Sequence, residues 1–481
     1  MQLDVQYEAQ IDALLWVEVG KTWFDTGDFD FAEQSFDRAE QVLCDANVGT
    51  GPVWASLGLE RSYILWRKGN FEEARETAHH TLNIFDALLR ENDRLINIHQ
   101  STATRRTLAG DPVDVGRTHL LLGNIAAVMG EGTIALDHLS AALTVFEQFD
   151  RQREIALVCG NIGDVYLRKT EHILAQSVLR RSLSIAEHIG DLSIMSVAFG
   201  NLGMLSSRLG DLREAEVYYE RALQLAEQVH DPIYISLCNG YLAIPLQAQG
   251  KLDEAKSSIR KSLTIGRTKS IPFCIGFALI TLGHLRINQA VNGYGSIPHS
   301  LEKRQGLTPT RLLQQAKVSL IRGLAIEGLE AETRTEGLLE LAQASFLLGE
   351  IDAAQQQTYR ALEEAKRYEQ TWLLACIQRL LGTILAVQHQ HKEANKLFTQ
   401  SLEILQERGM RLEYARTLYS FGEATLRNVH SNNEDCEQAI VHLQEARQVF
   451  DECGAALDLK LAELILTEYA TPVEAARKRD R

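Results

Sequence analysis

The sequence predicts an all-α chain, an α-solenoid of about ten antiparallel helix pairs wound into a right-handed superhelix. Three observations lead there. The chain resembles itself at an interval of 40 residues, small residues recur at fixed offsets within each copy, and glycine marks the middle of many copies. Such self-similarity is the mark of a repeat architecture, and it outranks the soft expectation of several globular domains from a length of 481 residues.

The interval appears on aligning segments around Gly123, Gly163, Gly203, Ala243 and Gly283, each 40 residues after the last. The frame returns at Ala342 and continues to Gly382 and Gly422, and earlier copies centre on Gly20 and, weakly, on Ser62. Twelve residues beyond the signature position stands an alanine in most copies, as at Ala32, Ala135, Ala215 and Ala394. Seven residues further is a second small residue, as at Ala39, Ser182, Ala222 and Ser401. Small residues at these points let two helix backbones approach, and larger Leu, Ile, Tyr and Phe side chains fill the gaps between pairs. Gly27, Gly69, Gly210, Gly250 and Gly349 stand where a first helix must end in a left-handed residue. No pair can bury its apolar stripe alone, so each copy needs its neighbours.

These residues resemble the tetratricopeptide repeat. They share the small signature residue, an aromatic or aliphatic residue three positions on (Trp23, Tyr166), then Ala, a large residue (Phe36, Tyr219, Phe398) and a second Ala. The usual period of that family is about 34. The longer interval is similar to the variety found in kinesin light chain, Leu-Gly-Asn-type adaptors and the sensor arms of bacterial signalling ATPases and transcription activators. The resemblance spans about residues 10 to 453 and implies a binding scaffold whose concave groove holds a protein segment or peptide.

Three interruptions are expected: residues 90–112, residues 291–308 with Tyr294 and its flanking glycines, and residues 428–435 between the helices of the last copy. The solenoid is thus assigned to 1–453, and residues 454–481 to a capping helix and a charged, frayed tail. Surface loops are the simplest reading of the interruptions, since closure entropy grows slowly with length.

Composition narrows function. Hydrophobic residues make up 45% of the chain, enough for a large core, and a net charge of −15 argues against a nucleic-acid surface. The longest apolar stretch, Ile275 to Ile287, is shorter than a membrane span, so no membrane partner is expected. Seven cysteines lie scattered without paired spacing and read as reduced thiols of a cytoplasmic protein. Gly20-Lys21-Thr22 imitates a phosphate loop, but Leu15 stands where that motif needs glycine. His79-His80 and His389-Gln390-His391 bring no carboxylate or cysteine at helical spacing and read as solvated. No metal, cofactor or catalytic residue is assigned, and the chain is expected not to be an enzyme.

One set of positions carries geometry. On the first helix of the fourth copy, Asn161, Asp164 and Arg168 share one face, opposite Cys159, Ile162, Gly163 and Tyr166. The fifth copy places Asn201 and Arg208 at matching offsets, the third places Asn124, and the sixth places Tyr241. Asn can bond both N–H and C=O of an extended peptide, and Arg can fork onto a carboxylate. In the long-repeat relatives, groove Asn and Arg residues bind partner peptides, and Asn161, Asn201, Arg168 and Arg208 match those positions. The expected setting is a sensor or partner-binding module of a bacterial signalling or transcription-regulatory system. The alternatives are a free-standing adaptor or a repeat-based regulatory phosphatase.

Overall fold

The computed structural model describes residues 2–95, 111–292, 307–428 and 432–479. Among these residues ten helix pairs follow one another: α1 (Gln2–Asp25) with α2 (Phe29–Asp45), α3 (Pro52–Lys68) with α4 (Phe71–Leu95), and α5 (Pro112–Val128) with α6 (Gly132–Gln148). Next come α7 (Gln152–Arg168) and α8 (His172–Ile189), α9 (Leu192–Leu209) and α10 (Leu212–Gln228), and α11 (Pro232–Ala248) and α12 (Leu252–Thr268). The last pairs are α13 (Pro272–Val291) and α14 (Leu307–Leu324), α15 (Ala331–Leu347) and α16 (Ile351–Arg367), α17 (Thr371–Val387) and α18 (His391–Glu407), and α19 (Arg411–Arg427) and α20 (Asn433–Cys453). A final helix, α21 (Ala456–Arg479), follows. Among the described residues there is no strand.

The repeat signature has a steric cause. A Cβ added at Gly123 would meet Leu139 at 2.7 Å, and one at Gly203 would meet the Tyr219 ring at 2.9 Å. Each glycine therefore makes room for the large residue sixteen positions later. Ala32, Ala135, Ala215 and Ala255 are fully buried, as are Ala39, Ala142 and Ala222. Where the second small residue is serine, its hydroxyl is satisfied by the facing helix: Ser182 donates to the Ala156 carbonyl at 2.6 Å, and Ser401 to that of Ala375 at 2.9 Å.

The turns are as regular as the helices. Gly27, Gly69, Gly210, Gly250 and Gly349 all have positive φ, between 79° and 91°. The left-handed residue also recurs without glycine, at Asp150, Thr170, His230, Ser270, Glu369 and His389. From Gly130 to Ser270 it returns every twenty residues, closing each helix of the array.

Some expected boundaries shift. Helix α4 runs on to Leu95, so the first interruption starts later than residue 90, and its remainder lies outside the described residues. Residues 293–306, including Tyr294, also lie outside them. The third interruption is shorter than expected, because α20 begins at Asn433 under a capping box in which Asn432 accepts from the Asp435 N–H at 2.8 Å. The charged tail expected to fray is helical to Arg479. Helix α13 has 20 residues, and an 18-residue stretch of it with a mean hydropathy of 1.2 meets the length and composition of a membrane span; 61% of that stretch is buried, as suits a core helix.

The chain forms two compact units: residues 1–165 with 181–191, and residues 166–180 with 192–481. In the second, contacts reach beyond sequence neighbours. Helix α9 touches α19, and α11 touches α21, each five pairs further along. At this approach Gly210 is required twice, by its φ of 91° and because a Cβ there would lie 2.9 Å from Cys453 Sγ.

Candidate partner-binding surface

Within the first unit, the inner positions join neighbouring repeats. Asn161 Nδ2 donates to Asn124 Oδ1 at 2.7 Å, aligning two half-buried amides from consecutive first helices. Asp164 is half-buried on the same helix as Asn161. Lys21 reaches Glu60 at 3.5 Å, and Arg117 reaches Glu154 at 3.6 Å, again between adjacent repeats. Burial pushes the Glu60 carboxyl up to about 7 even against the pull of Lys21. His119 and His138 share a 2.9 Å Nδ1–Nδ1 contact, with the exposed His79 ring 5.9 Å from His138. Burial lowers the pKa of both His119 and His138.

Within the second unit, the expected arginines are committed. Arg168 pairs with Glu330 at 3.0 Å and with Glu332 at 3.4 Å. Arg208 pairs with the same Glu332 at 2.5 Å and also donates to the Leu167 carbonyl. Trp372 Nε1 donates to Glu332 at 2.7 Å, and the Arg208 guanidinium lies 5.2 Å from the centre of that indole. Four first helices, α7, α9, α15 and α17, thus meet at one carboxylate. The side chains of Arg168, Arg208 and Glu332 are only 17%, 10% and 11% exposed. Both arginines were expected to stand open in a groove; they are instead buried in a clasp across four repeats. Asn201 is buried, and Tyr241 packs between Tyr219 (5.9 Å) and Phe277 (4.7 Å), an aromatic stack of the core.

The clasp shapes its surroundings. Burial opposes ionisation of Glu332, but Arg208 and Arg168 outweigh it and hold the carboxyl below its usual range. One turn on, Glu336 is pushed up to about 8, first by burial and then by the Glu332 charge. His172, whose two ring nitrogens are buried without hydrogen-bond partners, is driven down to about 4 by burial and by Arg208 and Arg408. A second network follows: Glu413 accepts from Arg379 at 2.7 Å and from Arg416 at 2.6 Å, and Arg416 forks onto Asp458 of α21 at 3.1 and 2.8 Å. It ties the last helix to the array.

Glu332, Trp372 and Glu336 were missed by sequence reasoning. One signal was available: Glu332 and Trp372 both stand ten residues before their signature positions, Ala342 and Gly382, in adjacent repeats.

The profile of the tetratricopeptide repeat matches residues 193–268, which hold the fifth and sixth pairs. Those two pairs match the tetratricopeptide pattern. The profile of the suppressor of spindle checkpoint defect 1 C-terminal domain matches residues 313–478. Among solved structures, a Rap protein complexed with competence and sporulation factor is similar with a TM-score of 0.56 at 14% identity, over 83% of this chain and 98% of that one. At such identity the likeness establishes the fold. A human IFIT1 dimer with m7Gppp-AAAA aligns over 96% of this chain and 94% of that one, with a TM-score of 0.48 at 15% identity. Yeast Tom70 covers 98% of this chain and 99% of its own, with a TM-score of 0.38 at 14% identity. No curated protein sequence matches the chain. In this chain the inner faces differ between the units: paired amides in one, a closed ionic clasp in the other.

Proposed function

We propose that the chain is a scaffold that binds a protein segment or peptide, with the inner face of the first unit as its working surface. The observation that carries this reading is the Asn161–Asn124 pair. Two half-buried amides from consecutive repeats, 2.7 Å apart, each keep hydrogen-bonding capacity beyond their mutual bond. Amides at the repeat spacing suit the backbone of an extended peptide, which offers N–H and C=O groups whatever its sequence. Arg168 and Arg208, engaged with Glu332, hold the second unit together in this reading.

The similar Rap protein is described in complex with competence and sporulation factor, which supports placing this chain in a bacterial regulatory system. That the seven cysteines form no disulfide supports a cytoplasmic setting. The reading assigns no catalytic residue. Its test is selection of displayed random peptides on the parent chain, followed by binding measurements on the Asn124→Ala, Asn161→Ala double variant. Selected peptides should bind the variant at least about tenfold more weakly, roughly 1.4 kcal/mol. Equal affinity for both chains would remove the first unit's inner face from the proposal.

A further inference from the structure

The first helix of the array exposes a face that later repeats bury. Five residues before, one before and three after the signature position, the third repeat has Thr118, Leu122 and Ala126, the sixth has Cys238, Leu242 and Leu246, and the ninth has Ile377, Leu381 and Leu385; all nine are buried. They are covered by the pair before them: Leu242 and Leu246 pack with Ala215 and Tyr219, and Ile377 packs with Ala361 and Ala365. In α1 the same three positions are Leu15, Val19 and Trp23, which are 59%, 40% and 39% exposed.

These residues belong to a broad surface. At 100° per residue, Tyr7, Ile11, Leu14, Leu15, Val19 and Trp23 occupy one continuous arc, while Ala9, Ala13, Val17 and Gly20 occupy the buried side. Ala13 and Val17 pack on α2, and Phe31 of α2 extends the outer surface by standing 5.1 Å from the Trp23 ring. Together with the charged residues between them, the exposed side chains offer on the order of 700 Å², near one partner's share of a standard interface.

Charge selects the occupant. Glu8, Asp12 and Glu18 are exposed on the same arc. Lys21, at its edge, is drawn to Glu18 at 2.8 Å and to Glu60 at 3.5 Å. A second copy laid antiparallel about Leu15 would bring Asp12 opposite Glu18, acid against acid, and the net charge of −15 adds to that repulsion. A basic helix meets neither objection. We propose that this face of α1 docks an amphipathic helix of a partner protein, with large apolar residues at three- and four-residue spacing and lysine or arginine on its flanks. It would lie where the second helix of a preceding repeat lies elsewhere in the array.

The probe is a synthetic 18-residue Leu/Lys amphipathic helix, with its Leu/Glu counterpart as control. Calorimetry should show the Leu/Lys helix binding one site, and hydrogen exchange should place added protection on residues 2–25. Leu15→Glu with Val19→Glu, both at exposed positions, should weaken binding at least about tenfold and leave the circular dichroism melt unchanged. Glu8→Lys with Asp12→Lys should weaken the Leu/Lys helix and admit the Leu/Glu one. Binding without protection of residues 2–25, or binding that survives Leu15→Glu with Val19→Glu, overturns the proposal. So does a dimer in sedimentation that dissociates in that same variant, since the occupant is then a second copy.

Discussion

The two units use one repeat for different ends. In the first, inner-face contacts join adjacent repeats: Lys21 to Glu60, Asn161 to Asn124, Arg117 to Glu154. In the second, Arg168 and Arg208 reach Glu332, 164 and 124 residues away in sequence, and Arg408 reaches Glu171, 237 residues away. Contacts between neighbours repeat with the array. Contacts across several repeats close a coil on itself. Nearest-neighbour energetics, the usual description of repeat proteins, therefore suit the first unit better than the second.

The largest expected effect tests that contrast. Glu332→Ala strips the buried Arg208 of its paired carboxylate and leaves Arg168 with Glu330 alone, and removing one partner of a buried pair costs about 3–5 kcal/mol. Lys21→Ala in the first unit should cost under about 1 kcal/mol, since it breaks a partly exposed pair and Glu60, already near neutrality, can take up a proton. Hydrogen exchange read separately on α9 and α15 and on α1 and α3 distinguishes them. Equal losses in the two units would mean that the clasp adds nothing beyond ordinary ion pairing.

Overpacking comes next, and it should not distinguish the units. Ala215→Leu and Ala135→Leu each place a large side chain where two helices touch at a fully buried alanine. Each should cost about 1–3 kcal/mol in chemical denaturation. A loss at one site but not the other would mean that the helix contact is not the shared element of the repeat.

Much of this contrast could not be read from sequence. The glycines and alanines of the signature report contacts within and between adjacent pairs, and those contacts recur every 40 residues, so Gly203 facing Tyr219 was legible as a pattern. Arg168 and Arg208 were found because they share an offset, but nothing local points from them to Glu332. That meeting depends on how steeply the coil rises over four repeats, a sum of small rotations that no single residue encodes. Local rules also had ends: the Asn432–Asp435 capping box was visible in sequence, yet it was counted as insertion because the 40-residue frame had slipped there.

The units also differ in their response to pH. Glu60 and Glu336 have pKa values raised from an ordinary 4.5 to about 7 and about 8. A carboxyl that holds its proton more tightly when folded favours the fold at low pH. Its contribution is complete below the unfolded value and disappears as pH rises through the folded one. The first unit should therefore weaken between pH 4.5 and 7, and the second should go on weakening to about pH 8. Glu332, with a lowered pKa, acts oppositely, its contribution disappearing as pH falls below the ordinary carboxylate range. Denaturant midpoints at pH 6 and pH 9 should converge in Glu336→Gln. If they stay as far apart as in the parent, the alkaline loss arises elsewhere.

The smallest effect is the sharpest discriminator. Asn161→Ala removes one neutral hydrogen bond between half-buried amides, worth about 0.5–1.5 kcal/mol net, and water can reach the Asn124 amide left behind. The double variant with Asn124→Ala should then add little further loss, so the coupling energy of the cycle should fall below about 1 kcal/mol. The same cycle on Arg208 and Glu332 should give a larger coupling, because Glu332→Ala strips the buried Arg208 of its carboxylate and Arg208→Ala leaves the buried Glu332 with only Arg168 and Trp372. The ratio of the two couplings measures how far one unit is closed and the other open, independently of global stability. A coupling at Asn161–Asn124 as large as that at Arg208–Glu332 would mean that the amide pair is itself a structural lock, and the first unit would then have no more open an inner face than the second.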